Sequence, residues 1–218
     1  MEILKNNIAR IPNNISPEDY SKLLYGLTKT SKYEDGLWKV ENFHKLLLYC
    51  ADFNLEGIGK CKYDLYNYQK TAVKELLDID SGSLIVASCG AGKTLIAIDL
   101  YLELLDRKKI KGPGLIVVKS SLKVQWYHEV KKFSDLTPSI LETSSKAKKK
   151  FDSQFEGDLL ICNYETLNDD KVREKLLKMK IEYIFADEVQ YVKNYQAKRS
   201  KSLYKFNNAK YTFGATAT

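Results

Sequence analysis

The run Ala87-Ser88-Cys89-Gly90-Ala91-Gly92-Lys93-Thr94 constrains this chain more than any other feature. It follows the apolar Leu84-Ile85-Val86 and precedes Leu95-Ile96-Ala97-Ile98, which reads as strand, glycine loop, helix. The backbone N–H groups from Ser88 to Gly92 and the helix N-terminus can wrap a polyphosphate. Lys93 would then reach the β- and γ-phosphates and the Thr94 hydroxyl would ligate Mg²⁺. The strict pattern has glycine where this chain has Ala87, so the match is to a relaxed form. The bland alternative is an ordinary strand–turn–helix.

A second run, Ile184-Phe185-Ala186-Asp187-Glu188-Val189-Gln190, ends an apolar stretch in two carboxylates. A phosphate-loop ATPase needs such a pair. Asp187 can hold Mg²⁺ directly or through water, and Glu188 can orient or deprotonate the attacking water. Surface Asp-Glu pairs at strand ends are common, so it is the upstream loop that turns this pair into a catalytic candidate.

The 218 residues suffice for one good core and a small extra module. No run of 18 apolar residues and no basic-then-apolar leader appears, so neither a membrane span nor a secretory signal is expected. Cys50, Cys61, Cys89 and Cys162 form no CxxC pair, and with only His44 and His128 beside them no zinc constellation is visible. His44 is expected as an ordinary helix residue. Reduced thiols fit a cytoplasmic compartment, bacterial or viral in a host, or a nuclear one if the source is eukaryotic. The +7 net charge is unevenly spread: residues 1–60 carry eight basic and eight acidic residues, and residues 189–218 carry six basic and no acidic ones. A solvated lysine face is the commonplace explanation, but an acid-free stretch directly after Asp187-Glu188 suits contact with a polyanion.

Residues 1–60 read as a small helical accessory module. Ser16-Pro17-Glu18-Asp19 is a helix start, a second helix is expected over 42–50, and Gly57 to Lys60 breaks the pattern. From residue 61 to 218 helices alternate with short apolar strands. Strands are expected at 84–86, 114–118, 139–141, 159–161, 183–185 and 211–213. Helices are expected at 68–77, 94–105, 121–133, 170–179 and 200–206, with a charged helix or loop at 146–151. The predicted fold is α/β, a parallel sheet covered by helices on both faces, with nucleotide at the carboxyl ends of the strands.

Further short motifs occur in a fixed order. Leu65-Tyr66-Asn67-Tyr68-Gln69 resembles the adenine-sensing motif of superfamily-two helicases, with Gln69 as the base reader. Leu115 to Leu122, followed by Gln125-Trp126 and Glu129, resembles the next motif in the form of the Swi/Snf branch of double-stranded DNA translocases. Asn163-Tyr164-Glu165-Thr166-Leu167 is similar to that branch's following DNA-contacting motif, and Lys193-Asn194 after the carboxylates is a habit of the same branch. Phe213 to Thr218 is similar to the motif that couples hydrolysis to movement, with Thr216 and Thr218 as its hydroxyls. The sequence departs from the family pattern at three places: Lys119 stands where proline is usual, Gln190 replaces a common histidine, and Ala215-Thr216-Ala217-Thr218 is nearer the helicase form of the coupling motif.

The resemblance implies the first RecA-like lobe of a two-lobe ATPase. It implies ATP and Mg²⁺ as cofactors and catalytic Lys93, Asp187, Glu188 and Gln190. Duplex DNA would be held through its phosphates by Ser120, Gln125, Tyr164, Thr166 and Lys193. Trp126 and Tyr164 are each either a base-stacking platform or a residue packed beneath the sheet. The sequence ends inside its last motif, so a second lobe is expected in cis or in trans, and these residues alone are expected to bind ATP weakly and turn it over slowly. An RNA-directed helicase lobe, a non-enzymatic ATP-binding fragment and, more remotely, a phosphate-loop kinase are the competing readings.

Overall fold

Gly114-Leu115-Ile116-Val117-Val118 and Tyr183-Ile184-Phe185-Ala186-Asp187 are buried at every position, as only strands covered on both faces can be. They lie at the middle of a six-stranded sheet in the computed structural model, which describes residues 2–4, 8–10, 31–34, 37–40, 55, 57–79, 81–142 and 153–217. Two compact units are present. The first comprises residues 1–58 and 65–74, the second residues 59–64 and 75–218. The boundary differs from the one expected near residue 60, because residues 65–74 cluster with the first unit.

In the first unit the described residues include β1 (Glu2–Leu4), β2 (Ile8–Arg10), β3 (Ser31–Glu34) and β4 (Leu37–Val40). They form an antiparallel sheet in the order β1-β2-β4-β3. These stretches are strand where a small helical module was expected. Ser31-Lys32-Tyr33-Glu34 and Leu37-Trp38-Lys39-Val40 pair antiparallel and are separated in sequence by Asp35-Gly36, a dipeptide that signals a hairpin. The helices expected at 16–27 and 42–50 fall outside the described residues. Helix α1 (Asn67–Ile79) begins in this unit.

The second unit runs β5 (Ser83–Val86), α2 (Lys93–Asp106), β6 (Gly114–Val118), α3 (Lys123–Phe133), β7 (Pro138–Ile140), β8 (Leu159–Asn163), α4 (Asp170–Lys178), β9 (Tyr183–Asp187), α5 (Lys198–Tyr204) and β10 (Tyr211–Thr216). Every strand pair is parallel, in the order β5-β10-β9-β6-β8-β7. The expected elements stand within a few residues of their predicted ends, and the segment expected at 146–151 falls outside the described residues. Edge strand β5 departs from the fully apolar, fully buried pattern: Leu84 and Val86 face outward, alternating with half-buried Ser83 and Ile85.

Local chemistry explains the elements. Asp169 caps α4 by accepting from the N–H groups of Lys171 and Val172, and Lys175 and Lys178 sit at its negative end. Gly114 is required where β6 crosses the core, because a Cβ there would lie 2.6 Å from Leu159 and 2.9 Å from the Tyr101 ring. The strap at residues 59–64 is tied to α2 by two buried carboxylates. Asp99 Oδ1 accepts from the N–H groups of Lys60 (2.6 Å) and Cys61 (2.9 Å), and Glu103 accepts from Gly59 N–H (3.0 Å). Among the described residues no helix is long and apolar enough to cross a membrane.

Candidate functional site

Strand order brings three distant motifs together. β10 lies between β5 and β9, so Val86 pairs with Thr216 and Asp187 pairs with Ala215. The glycine loop, the two carboxylates and the Ala-Thr-Ala turn therefore leave the same sheet edge side by side. The Ala87 N–H ties loop to turn by donating to the Thr216 carbonyl at 3.1 Å.

The loop has the form a polyphosphate needs. Gly90 and Gly92 hold left-handed φ values of 82° and 77°. A side chain would strain both positions. Ser88, Cys89 and Gly90 are exposed, Ala91 is buried and Thr94 half-buried. Gly92 precedes α2 without any side-chain cap, so the first amides of the helix keep their capacity for an external acceptor. Lys93 Nζ donates to the carbonyls of Ala87 (2.8 Å) and Ser88 (3.1 Å), folding its ammonium over the loop. The set of hard oxygen donors on Thr94 and Asp187 suits a small divalent cation carried with phosphates.

Asp187 is 8% exposed and both its oxygens are held. Oδ1 accepts from the Glu188 N–H at 3.0 Å, and Oδ2 from the Trp126 indole at 3.1 Å. Its backbone carbonyl accepts from the Tyr164 hydroxyl at 2.6 Å. Burial pushes the Asp187 carboxyl above the usual carboxylate range and the Glu188 charge adds to this, while the indole bond pulls it back. Glu188 has a left-handed backbone, φ 55°, which turns its carboxylate off the strand direction. Gln190 braces that carboxylate by donating to it, and its own carbonyl accepts from the Thr216 hydroxyl at 2.9 Å. Glutamine thus uses both its donor and its acceptor to join Glu188 to Thr216.

Other predicted residues are placed differently. Trp126 is 2% exposed, packed against Phe185 with ring centroids 5.8 Å apart, so the packed alternative holds and the stacking platform does not. Tyr164 is 0% exposed, so for it too the packed alternative holds, and Thr166, expected as a phosphate contact, is 3% exposed. The chain turns inward after β8, sending Tyr164 beneath Asp187 while the Thr166 hydroxyl donates to Asn163. Ser120, Gln125 and Lys193 are exposed, as phosphate contacts require. Gln69, in the first unit, is 3% exposed and its side-chain oxygen accepts from the Tyr66 N–H at 3.0 Å. Thr218 falls outside the described residues. The polar role of Trp126 escaped sequence reasoning, although a buried indole N–H usually finds an acceptor.

Comparison with known proteins agrees with this geometry. The model of the SNF2-related domain matches residues 68–213. An uncharacterized ATP-dependent helicase of Mycoplasma pneumoniae is 27% identical over 146 residues, covering 65% of this chain and 14% of that protein. The ATP-dependent helicase brm of Drosophila melanogaster is 28% identical over 161 residues, covering 71% of this chain and 10% of its own length. Among solved structures, the Sulfolobus solfataricus SWI2/SNF2 ATPase core in complex with dsDNA has the same fold, with a TM-score of 0.65 at 24% identity over 76% of this chain and 34% of that one. The chain therefore spans a small part of the relatives it matches. With the family match extending over most of a sheet whose edge assembles the glycine loop, Asp187-Glu188 and Thr216, this chain belongs to the SNF2-related domain family.

Proposed function

We propose that this chain is the ATP-binding lobe of an ATP-dependent DNA translocase of the Swi/Snf type, working with a second RecA-like lobe in cis or in trans. The observation that carries the reading is the β5-β10-β9 register, which puts Lys93, Asp187-Glu188 and Thr216 on one edge. The loop amides and the ammonium of Lys93 would hold the phosphates, the ammonium giving up the Ala87 and Ser88 carbonyls to do so. Thr94 and Asp187 would hold Mg²⁺. The metal's contribution is to neutralise charge on the phosphates. Glu188 would orient and deprotonate the attacking water, with Gln190 keeping its carboxylate in place. The Gln190–Thr216 bond would carry the state of the catalytic pair into the coupling motif.

Duplex DNA is the favoured partner. The Sulfolobus core of the same fold was solved with dsDNA, and the acid-free residues 189–218 supply positive charge without sequence readout. The test is ATP binding and steady-state hydrolysis with and without duplex, for the chain and for Lys93→Ala. The expected result is nucleotide binding that the substitution weakens, and DNA-stimulated turnover once a second lobe is supplied. Absence of nucleotide binding, or turnover undiminished in Lys93→Ala, would overturn the reading.

A further inference from the structure

One half-buried ring near the catalytic edge carries two cations. Lys119 Nζ stands 4.8 Å from the centroid of Tyr191, and the Arg199 guanidinium carbon stands 5.4 Å from the same centroid. Lys119 directly follows β6, Tyr191 lies in the turn after Asp187-Glu188, and Arg199 is in α5. The ring's other neighbour is Tyr164, stacked at 5.8 Å and 20°, which anchors it to the core.

Among the described residues no ion pair involves Lys119 or Arg199. Residues 189–218 hold no acid. Glu165 and Glu188, the acids beside Tyr164 and Tyr191 in the chain, are engaged by Asn163 and Gln190. Arg199 Nε is buried with no hydrogen-bond partner. A cation–π contact orients a cation but leaves its N–H donors open. Two cations drawn to one ring with no carboxylate between them form a charge excess that an anion would relieve. The exposed hydroxyls of Ser120 and Ser121 follow Lys119 directly and add neutral donors.

We propose that Lys119 and Arg199, gathered on the Tyr191 ring, form a binding site for a backbone phosphate of duplex DNA. The proposal rests on the reading that this lobe engages DNA. It adds a contact that the family pattern does not supply, since Lys119 stands where proline is usual. Lys119 has φ −65°, the value proline imposes, and follows an extended strand residue. Lys119→Pro therefore deletes the cation without straining φ.

The experiment is fluorescence anisotropy of the chain with a labelled duplex over a range of NaCl concentrations. It compares wild type, Lys119→Pro, Lys119→Pro with Arg199→Gln, and a control, Lys178→Gln. Lys178 is exposed at the end of α4, which leads into the opposite sheet edge. Loss of the one phosphate that the two cations share should flatten the log–log salt slope by about 0.9 in the double variant, with Lys119→Pro falling between that and wild type. The control should retain the wild-type slope. If Arg199→Gln lowers the melting temperature, Lys119→Pro alone decides. Wild-type slopes in both Lys119 variants, or an equal fall in Lys178→Gln, would overturn the proposal while leaving DNA binding by the lobe intact. A wild-type chain with no salt-dependent binding would overturn the DNA reading itself, and the proposal with it.

Discussion

Trp126→Phe tests how the site is built. The indole donates to Asp187 Oδ2 at 3.1 Å, in a region where Trp126 is 2% exposed and Asp187 8%. Phenylalanine keeps an aromatic ring against Phe185 and deletes the donor. A hydrogen bond to a charged group contributes about 1.5–3 kcal/mol. The smaller ring adds a packing loss of about 1 kcal/mol, at the low end for core truncations. The sum, roughly 2–4 kcal/mol, corresponds to a fall in melting temperature of about 4–16 °C for a domain of this size. A second effect separates positioning from stability. Residues that orient a metal-binding carboxylate typically change metal affinity by about 10–100-fold when replaced. Binding of a fluorescent ATP analogue titrated with Mg²⁺ should therefore show a midpoint displaced upward by at least about tenfold, with metal-free nucleotide binding far less altered. A melting temperature that falls while the Mg²⁺ midpoint stays at the wild-type value would refute the argument, because the indole would then only fill space.

Four further outcomes follow from the same contacts. Lys93→Ala should weaken nucleotide binding and leave the circular dichroism spectrum unchanged, since its two carbonyl bonds lie in a partly exposed loop and their loss costs about 1 kcal/mol. Glu188→Gln should retain ATP binding and abolish hydrolysis in the two-lobe assembly, read by phosphate release. Gly114→Ala should lower stability by about 1–3 kcal/mol in urea unfolding, because its Cβ would overlap Leu159 and Tyr101. Asp99→Asn probes pH. Burial raises the Asp99 carboxyl above its ordinary value, so on raising the pH the unfolded chain loses this proton first and the folded state loses stability through that window. Asparagine keeps Oδ1 as acceptor for Lys60 and Cys61 and removes the titration. The melting temperature of Asp99→Asn relative to wild type should climb from pH 4 to pH 7, and a flat difference would show that the charge is not felt.

The candidate site was legible because its motifs are local. A glycine loop between an apolar strand and a helix, and Asp-Glu at the end of another strand, declare their backbone geometry within a few residues. The sheet strands were legible for the same reason, being short apolar runs bounded by breakers. What was not legible depends on pairings across the chain. Trp126 and Asp187 are 61 positions apart, and only the β9-β6 pairing places the helix after β6 over Asp187. Tyr164 and Thr166 leave the end of β8, where alternation no longer says which way a side chain points, and both turn inward. The strands of residues 2–40 were hidden differently: Ser16-Pro17-Glu18-Asp19 is a strong helix start, and it was extended to a whole module whose described parts are sheet.

The inward turn of Tyr164 bears on the proposed contact with DNA. A tyrosine on the surface would report on DNA by touching it. A buried one, with its hydroxyl on the Asp187 carbonyl and its ring stacked on Tyr191, stands between the end of β9 and the ring that gathers Lys119 and Arg199. Gln190, next to Tyr191 in the same turn, holds Glu188 and Thr216. Displacing Tyr191 would therefore move backbone that also positions Glu188 through Gln190, so that the proposed DNA contact and the proposed catalytic carboxylates share one short turn. Tyr164→Phe separates the links: it keeps the stacked ring and removes the bond to Asp187. In the two-lobe assembly it should leave the salt slope of DNA binding unchanged and reduce DNA-stimulated hydrolysis more than the basal rate. An equal reduction of both rates would mean that the hydroxyl serves the strand end alone and that the turn transmits nothing.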